Sequence, residues 1–260
     1  MEKSRRVLFM TLANKVAIVT GGARGIGFAT AERLAREGAI TVVSDIRGHE
    51  AAAETLRVSG YEAHAITADV SSDESVTALV DEVVSRFGGV HILVNNAALA
   101  SELPPGPFEQ HESELWKRVY DVNVIGAFRT CRAVSPHMRA QKWGRIINVT
   151  SGTAFKGPPG MMHYIASKGA IISMTRSLAN ELGGDNIVCN AIAPGFTVTE
   201  GAREASHLTG LFADMAIKSR AIKREELAED VANAIHFLAS ADSGFVTGQT
   251  LVVDGGSVFH

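Results

Sequence analysis

Apolar and polar positions follow two alternating periods along the chain. Short β-branched runs predict buried strands over residues 16–19, 40–44, 63–67, 91–94, 145–150, 186–192 and 249–253. Longer segments between them have helical periodicity and predict helices over residues 28–37, 50–59, 71–87, 113–137, 160–182 and 225–239. Strict alternation of strand and helix is typical of a parallel sheet covered by helices on both faces. The pattern therefore predicts an α/β fold.

The same pattern indicates one domain with two less regular segments. Residues 1–12 precede the first strand and are predicted to form a flexible leader, which leaves residues 13–260 as the domain. Residues 197–220 have helical patches of mixed polarity without a clear place in a core. Such a segment suits a lid over a binding site.

Composition excludes several classes of protein. The chain has 260 residues, is 46% hydrophobic and carries a formal net charge of −3, which gives no electrostatic reason to bind nucleic acid or an anionic membrane. No run approaches the ~20 apolar residues of a membrane span. Cys131 and Cys189 lie in apolar runs and are expected to be buried thiols of a cytoplasmic protein. The nine histidines have no metal-ligand spacing, so no catalytic metal is expected.

A glycine-rich turn follows the first strand. Gly21, Gly25 and Gly27 leave the backbone bare where the next helix begins, and the positive end of that helix suits a pyrophosphate. Asp45 ends the second strand, 18 residues after Gly27, where a carboxylate can accept hydrogen bonds from ribose hydroxyls. A 2′-phosphate there would be repelled, so Asp45 favours NAD, although Arg24 beside the turn would permit NADP.

A second group of polar residues follows the fifth strand. Ser151 stands at the carboxyl end of that strand, and Tyr164 and Lys168 are four residues apart, on one face of the predicted helix. An ammonium near a phenol is expected to lower the phenol's pKa from its ordinary value of ~10. Asn123 interrupts the apolar stripe of the 113–137 helix, a position where an amide is usually a satisfied core group.

These pieces together resemble the short-chain dehydrogenase/reductase family over about residues 13–257. The resemblance rests on their order, on the 13 residues from Ser151 to Tyr164, and on a set of short motifs. The motifs are Thr20-Gly-x-x-x-Gly-Ile-Gly27, Asp69-Val70, Asn95-Asn-Ala97, Asn123, Ser151, Tyr164-x-x-x-Lys168, Pro194-Gly195 and Thr247-Gly-Gln-x-Leu-x-Val-Asp-Gly-Gly256.

The resemblance implies a doubly wound Rossmann fold with seven parallel strands in the order 3-2-1-4-5-6-7. It also implies that Tyr164 is the general acid/base and that Lys168 lowers its pKa and holds the nicotinamide ribose. Ser151 would hydrogen-bond the substrate oxygen, and Asn123 would support a water relay behind Lys168. Related chains pair two long helices across subunits, so a homotetramer is expected.

The remaining cofactor contacts are carried over in the same way. Asp69 and Val70 would hold the adenine, Asn95 and Ala97 would line the adenosine ribose, and Thr197 and Thr199 would meet the carboxamide and phosphate. The full expected set, beside Tyr164 and Lys168, is Gly21, Arg24, Gly25, Ile26, Gly27, Asp45, Ile46, Asp69, Val70, Asn95, Ala97, Pro194, Thr197 and Thr199.

The leading hypothesis is therefore an NAD-dependent oxidoreductase that interconverts a secondary alcohol and a ketone. Apolar residues expected around the substrate favour a hydrophobic or aromatic molecule: Leu99, Phe155, Met161, Met162, Phe196, Leu211, Phe212 and Met215. A weaker likeness, to the 1-phenylethanol and pyridoxal dehydrogenases, agrees with a ring-bearing alcohol. A 3-oxoacyl thioester reductase and a catalytically silent dinucleotide sensor remain as alternatives.

Overall fold

The computed structural model describes residues 10–205 and 209–259 and has a seven-stranded parallel sheet at its centre. The strand order is β3-β2-β1-β4-β5-β6-β7, which confirms the expected Rossmann topology. The strands are β1 Val16–Thr20, β2 Ile40–Asp45, β3 Ala63–Thr67, β4 Ile92–Asn95, β5 Gly144–Val149, β6 Ile187–Pro194 and β7 Thr250–Val253.

Ten α-helices in the described residues connect and cover these strands. They are α1 Gly25–Arg36, α2 His49–Val58, α3 Asp73–Phe87, α4 Ser113–Tyr120, α5 Gly126–Ala140, α6 Thr153–Lys156, α7 Met162–Leu182, α8 Glu200–Glu204, α9 Leu211–Ser219 and α10 Ala228–Ala239. The capping residue of α3 is Ser72, which accepts a hydrogen bond from the Ser75 N–H, so this helix begins two residues later than the predicted position 71.

Two apolar layers hold helices against opposite faces of the sheet. On one face, Leu34 of α1 and Ile235 of α10 pack with Val19 and Ile192. The other face is covered by α3, α5 and α7, and both cysteines are buried there as free thiols. Every residue of β1, β5 and β6 is buried, because neither face of a parallel sheet between two helical layers is exposed to solvent.

The apolar core includes a residue that precedes the predicted domain boundary at residue 13. Leu12, assigned by sequence to the flexible leader, is 1% exposed, belongs to the core beneath α1 and donates its N–H to the Glu37 carbonyl. Its short apolar neighbourhood carries no periodicity, so only the tertiary packing reveals its role. Residues 1–9 of the predicted leader lie outside the described part of the chain.

The expected helix over residues 113–137 is divided by a π-helical turn at Asp121–Ile125, between α4 and α5. Further along, Thr197–Val198 and Glu226–Leu227 pair as a separate two-stranded parallel sheet at the base of the segment that contains α8 and α9. Within residues 10–205 and 209–259, no helix is long and apolar enough to cross a membrane.

Candidate active site

The carboxyl ends of the strands open onto two adjoining hollows. A groove of about 790 Å³ runs over the glycine turn, and a cavity of about 490 Å³ lies beside Ser151 and Tyr164. Ile26, Asn96, Ala98, Ser101 and Thr199 line both hollows, so the two are continuous. A long ligand in the groove would therefore extend into the cavity.

The glycine turn is a cradle that side chains would fill. Gly21 has φ +61°, and a Cβ there would lie 2.8 Å from the Ala97 Cα. A Cβ on Gly27 would overlap the Gly21 carbonyl oxygen. Asn96 holds the turn by donating from Nδ2 to the carbonyl oxygens of Thr20 and Gly21, at 3.1 and 2.9 Å. The bare backbone at the amino end of α1 fits a pyrophosphate.

Asp45 stands at the edge of the groove, as the sequence indicated. Its two carboxylate oxygens accept hydrogen bonds from the N–H groups of Ala23 and Ile46, at 3.2 and 2.8 Å. Arg24 also lines the groove, where its guanidinium pairs with Glu204 at 3.0 Å. Arg47 also lines the groove, and the sequence reasoning missed it although it lies two residues after Asp45.

Three further predicted residues lie at the far end of the groove. Ile46 is largely exposed, Val70 is buried, and Asp69 lines the groove between them. Asp69 Oδ1 accepts hydrogen bonds from the Ser71 hydroxyl and N–H, at 2.6 and 2.8 Å, and these bonds lower the pKa of the carboxyl. The expected residues for the adenine end are thus brought together.

Asn95 is the exception, because its side chain faces the core and not the groove. It donates to Asn148 Oδ1 at 2.9 Å and accepts from the Thr130 hydroxyl at 2.6 Å, while Asn148 donates to the Thr175 hydroxyl at 2.9 Å. The expectation that Asn95 lines the adenosine ribose gains no support from its side chain, which is not among those that line the groove. Side chains alternate along a strand, and Asn96 is the asparagine that faces the groove.

Ala97, in contrast, lines the groove as expected. Its N–H donates to the Thr20 hydroxyl at 3.2 Å, and the same hydroxyl accepts from the Asn96 N–H at 3.1 Å. Thr20 thereby ties the end of β1 to the end of β4, although the sequence marked it only as part of the glycine motif.

Ser151, Tyr164 and Lys168 meet at the wall of the cavity. Ser151 is buried at the end of β5, and its Oγ accepts from the Thr153 hydroxyl at 2.9 Å. The Lys168 ammonium lies 5.7 Å from the centre of the Tyr164 ring and donates to the Val149 carbonyl at 2.8 Å. Helix α7 thus presents Tyr164 and Lys168 on one face, as their spacing predicted.

The electrostatics of this group differ from the expectation. Burial raises the pKa of Tyr164, an interaction with the Ser151 side chain acts in the opposite direction, and the Glu102 charge raises it further. Burial also lowers the pKa of Lys168 to about 8. The shift of the Tyr164 pKa is therefore opposite in direction to the predicted lowering, because withdrawal from water disfavours the charged phenolate.

Asn123 lies in the π-helical turn and clamps the loop after β4. Its Oδ1 accepts from the Leu99 N–H at 2.8 Å, and its Nδ2 donates to the Leu99 carbonyl and the Ser167 hydroxyl, both at 3.1 Å. Ser167 precedes Lys168 on α7. The buried amide thus joins the loop beside the groove to the helix that carries Tyr164.

The cavity wall is largely apolar and is completed by the segment predicted as a lid. Met161, Phe196, Phe212 and Met215 line the cavity, with Phe196 and Phe212 in edge-to-face contact at 5.1 Å. Of the other expected residues, Leu99 lines the groove, and Phe155 and Met162 are not among the lining residues. The side chain of Leu211 and residues 206–208 lie outside the description.

Pro194, Thr197 and Thr199 lie at the root of the lid and line the cavity. Thr199 caps α8 by accepting from the Ala202 N–H at 3.2 Å, and the Thr197 hydroxyl donates to buried Glu226 at 2.8 Å. Glu226 lies 3.5 Å from Arg220. Burial raises the pKa of Glu226 to about 7 against the opposing effects of Thr197 and Arg220.

Known proteins share this architecture. A family model described as enoyl-(acyl carrier protein) reductase matches residues 21–258. The short-chain reductase protein NovJ of Streptomyces niveus is 42% identical over 250 residues, which cover 93% of each chain. The 3-oxoacyl-[acyl-carrier-protein] reductase FabG of Staphylococcus epidermidis is 37% identical over 246 residues, or 94% of this chain and 98% of the relative. The crystal structure of gox2181 has a TM-score of 0.89 at 33% identity, covering 95% of this chain and 97% of that one.

A parallel Rossmann sheet with a glycine cradle and an adjoining tyrosine–lysine pair defines a class of dinucleotide-dependent oxidoreductases. Within that class, the chain belongs to the short-chain dehydrogenase/reductase family. The resemblance seen in the sequence motifs is thereby confirmed.

Proposed function

We propose that the protein transfers hydride between NAD and a secondary alcohol or ketone whose flanking groups are hydrophobic or aromatic. The observation that carries this proposal is the continuity between the glycine cradle and an apolar cavity that has Ser151 and Tyr164 in its wall. A nicotinamide dinucleotide supplies the hydride acceptor or donor when it is bound in the groove.

The side chains act on the substrate oxygen. In the direction of reduction, Tyr164 donates its phenolic proton to the carbonyl oxygen as the carbon receives hydride, and Ser151 donates a hydrogen bond to the same oxygen. In oxidation, Tyr164 accepts the alcohol proton. Lys168 orients the phenol and the nicotinamide ribose. Asn123 positions the loop after β4 through Leu99 and helix α7 through Ser167.

The choice of NAD over NADP rests on Asp45. Asp45 places a carboxylate at the groove edge, where it would repel a 2′-phosphate. Asp45→Ala is expected to lower the Kd for NADP at least tenfold, as measured by calorimetry, while the Kd for NAD rises. An unchanged Kd for NADP would contradict the placement of Asp45 at the ribose.

A second candidate function is reduction of a 3-oxoacyl thioester, which the name of the FabG relative favours. Arg47 is a cation in the groove that would support the use of NADPH by such an enzyme. The wall formed by Phe196, Phe212 and Met215 supports the leading proposal, because it suits a compact apolar group.

Steady-state assays separate these possibilities. We expect the highest kcat/KM with NAD and an aryl or alkyl secondary alcohol, and a lower kcat/KM for acetoacetyl-CoA with NADPH. The reverse order would establish the thioester reductase. Absence of turnover together with tight NAD binding would instead favour a dinucleotide sensor.

We also propose that the chain assembles as a homotetramer. The side chains of Ile125 and Phe128, on the 113–137 segment, are 42% and 46% exposed and offer an apolar face to another subunit. Light scattering after gel filtration is expected to give four times the chain mass, and Phe128→Glu should give a smaller species. Phe108→Glu, which alters an exposed residue outside that segment, serves as the control.

A further inference from the structure

The short helix α8 places two carboxylates on the glycine turn. Glu200 Oε2 accepts a hydrogen bond from the Gly25 N–H at 3.1 Å, and Glu204 lies 3.0 Å from the Arg24 guanidinium. The Gly25 backbone also lies close to Thr199, since a Cβ on Gly25 would be 3.3 Å from the Thr199 side chain. The beginning of the lid therefore lies directly against the turn.

The N–H group that donates to Glu200 belongs to Gly25, the first residue of α1. The first N–H groups of a helix lack partners within the helix and lie at its positive end. Helix α1 has no acidic residue in its own first turn, and Arg24 provides no side-chain cap. Glu200, 175 residues further along the chain, supplies the missing negative charge.

We propose that Glu200 is an internal substitute for the cofactor pyrophosphate, displaced when the dinucleotide binds. This inference rests on the proposed dinucleotide site and adds a regulatory contact to it. A pyrophosphate over the turn and the Glu200 carboxylate require the same N–H donor and repel each other. Binding of the cofactor thus releases the α8 end of the lid, and the Glu200 contact lowers the affinity for the cofactor.

The two contacts are weak enough to be displaced. Arg24 and Glu204 are both more than half exposed, and the hydrogen bond to Gly25 is also exposed to solvent. Rupture of the Arg24–Glu204 pair frees a guanidinium beside the turn. The released cation then strengthens the binding of the phosphates that displaced the lid.

The test compares Glu200→Gln with the wild-type protein by calorimetry, using NAD and ADP-ribose as ligands. Glutamine keeps the shape and removes the charge, so the Kd for both ligands is expected to fall about fivefold, the effect of one charged hydrogen bond at a helix terminus. Adenosine lacks the pyrophosphate, and its Kd should stay unchanged in an NMR titration.

Asp214→Asn is the matched control, since it removes an exposed carboxylate of α9 that is outside the groove and cavity linings. It should leave all three Kd values unchanged. An equal or higher Kd for NAD in Glu200→Gln, or an equal gain in Asp214→Asn, would overturn the proposal. If the wild-type protein binds neither NAD nor ADP-ribose, the proposed function itself fails, which is a separate result.

Discussion

At the scale of single residues, the site combines a half-buried phenol with a buried ammonium. Lys168 is 3% exposed, and its ammonium is held by the Val149 carbonyl. Tyr164 borders the cavity, where burial favours its neutral, proton-donating form. The two residues therefore share one environment and respond to it in opposite directions, since burial disfavours the charged form of each.

Tyr164→Phe removes the proton donor and keeps the ring. General acid/base groups contribute roughly 10²–10⁴-fold to rate, so kcat is expected to fall by about that factor. The Kd for NAD, measured by calorimetry, should change less than twofold. Retention of more than a tenth of the wild-type kcat would refute the assigned role.

Lys168 should give the fold a characteristic dependence on pH. Its pKa of about 8 lies below the ordinary 10.5, so the unfolded chain binds a proton that the folded chain lacks between these values. Wild-type stability should therefore rise relative to Lys168→Met by about 2 kcal/mol between pH 7 and pH 10. Urea unfolding at both pH values measures this. Lys218→Met, at an exposed position, should have the same pH dependence of the free energy of unfolding as the wild type.

The neighbouring asparagines are expected to have different functions. Asn95→Ala removes one buried hydrogen-bond partner from Thr130 and one from Asn148, and should lower the free energy of unfolding by about 2–3 kcal/mol, with little change in the Kd for NAD. Asn96→Ala releases the glycine turn and should raise that Kd about tenfold. Urea unfolding and calorimetry on both variants test the assignment. A higher Kd for NAD in Asn95→Ala together with a loss of stability in Asn96→Ala would contradict it.

At the scale of elements, the lid segment is fastened at both ends by one carboxyl group. Glu226 accepts from Thr197, where the segment begins, and pairs with Arg220, where it ends. Arg220 also donates to the Phe196 carbonyl at 2.5 Å. The segment between these points contains α8 and α9, so the two ends of the segment that contains both helices are bound by the same buried carboxyl group.

The raised pKa of Glu226 predicts a pH effect of opposite sign to that of Lys168. With a folded pKa of about 7 against the ordinary 4.5, the folded chain holds a proton that the unfolded chain has released. Wild-type stability should therefore fall relative to Glu226→Gln by about 2 kcal/mol from pH 5 to pH 8. Urea unfolding at both pH values measures this, and Glu225→Gln, at an exposed position, is the control. A difference in the free energy of unfolding between wild type and Glu226→Gln that stays constant with pH would contradict the raised pKa of Glu226.

At the scale of the whole molecule, cofactor binding and folding are linked. A ligand that binds only the folded state at 100 times its Kd adds about 2.7 kcal/mol. For a chain of this size, NAD should then raise the unfolding temperature by about 5–10 °C. In a thermal unfolding experiment, NADP at the same concentration should raise it less. Equal shifts would contradict the preference attributed to Asp45.

Much of the architecture was predictable because it depends on local periodicity. The alternation of apolar runs and amphipathic segments identified the strands and most helices, and the motifs added the strand order. The π-helical turn was not predictable, since the apolar stripe continues through residues 113–137. Only the hydrogen bonds of Asn123 to Leu99 and Ser167 explain how its side chain is buried there.

The sequence by itself determined the features that depend on short spacing: the bare glycine turn, Asp45 at a strand end, and Tyr164 and Lys168 on one helical face. Only the tertiary structure decided which asparagine faces the groove, that Tyr164 is buried enough for its pKa to rise, and that Glu200 reaches Gly25. These depend on the orientation of side chains at strand ends, on the local exclusion of water and on contacts between distant segments. None of the three is encoded in a local pattern.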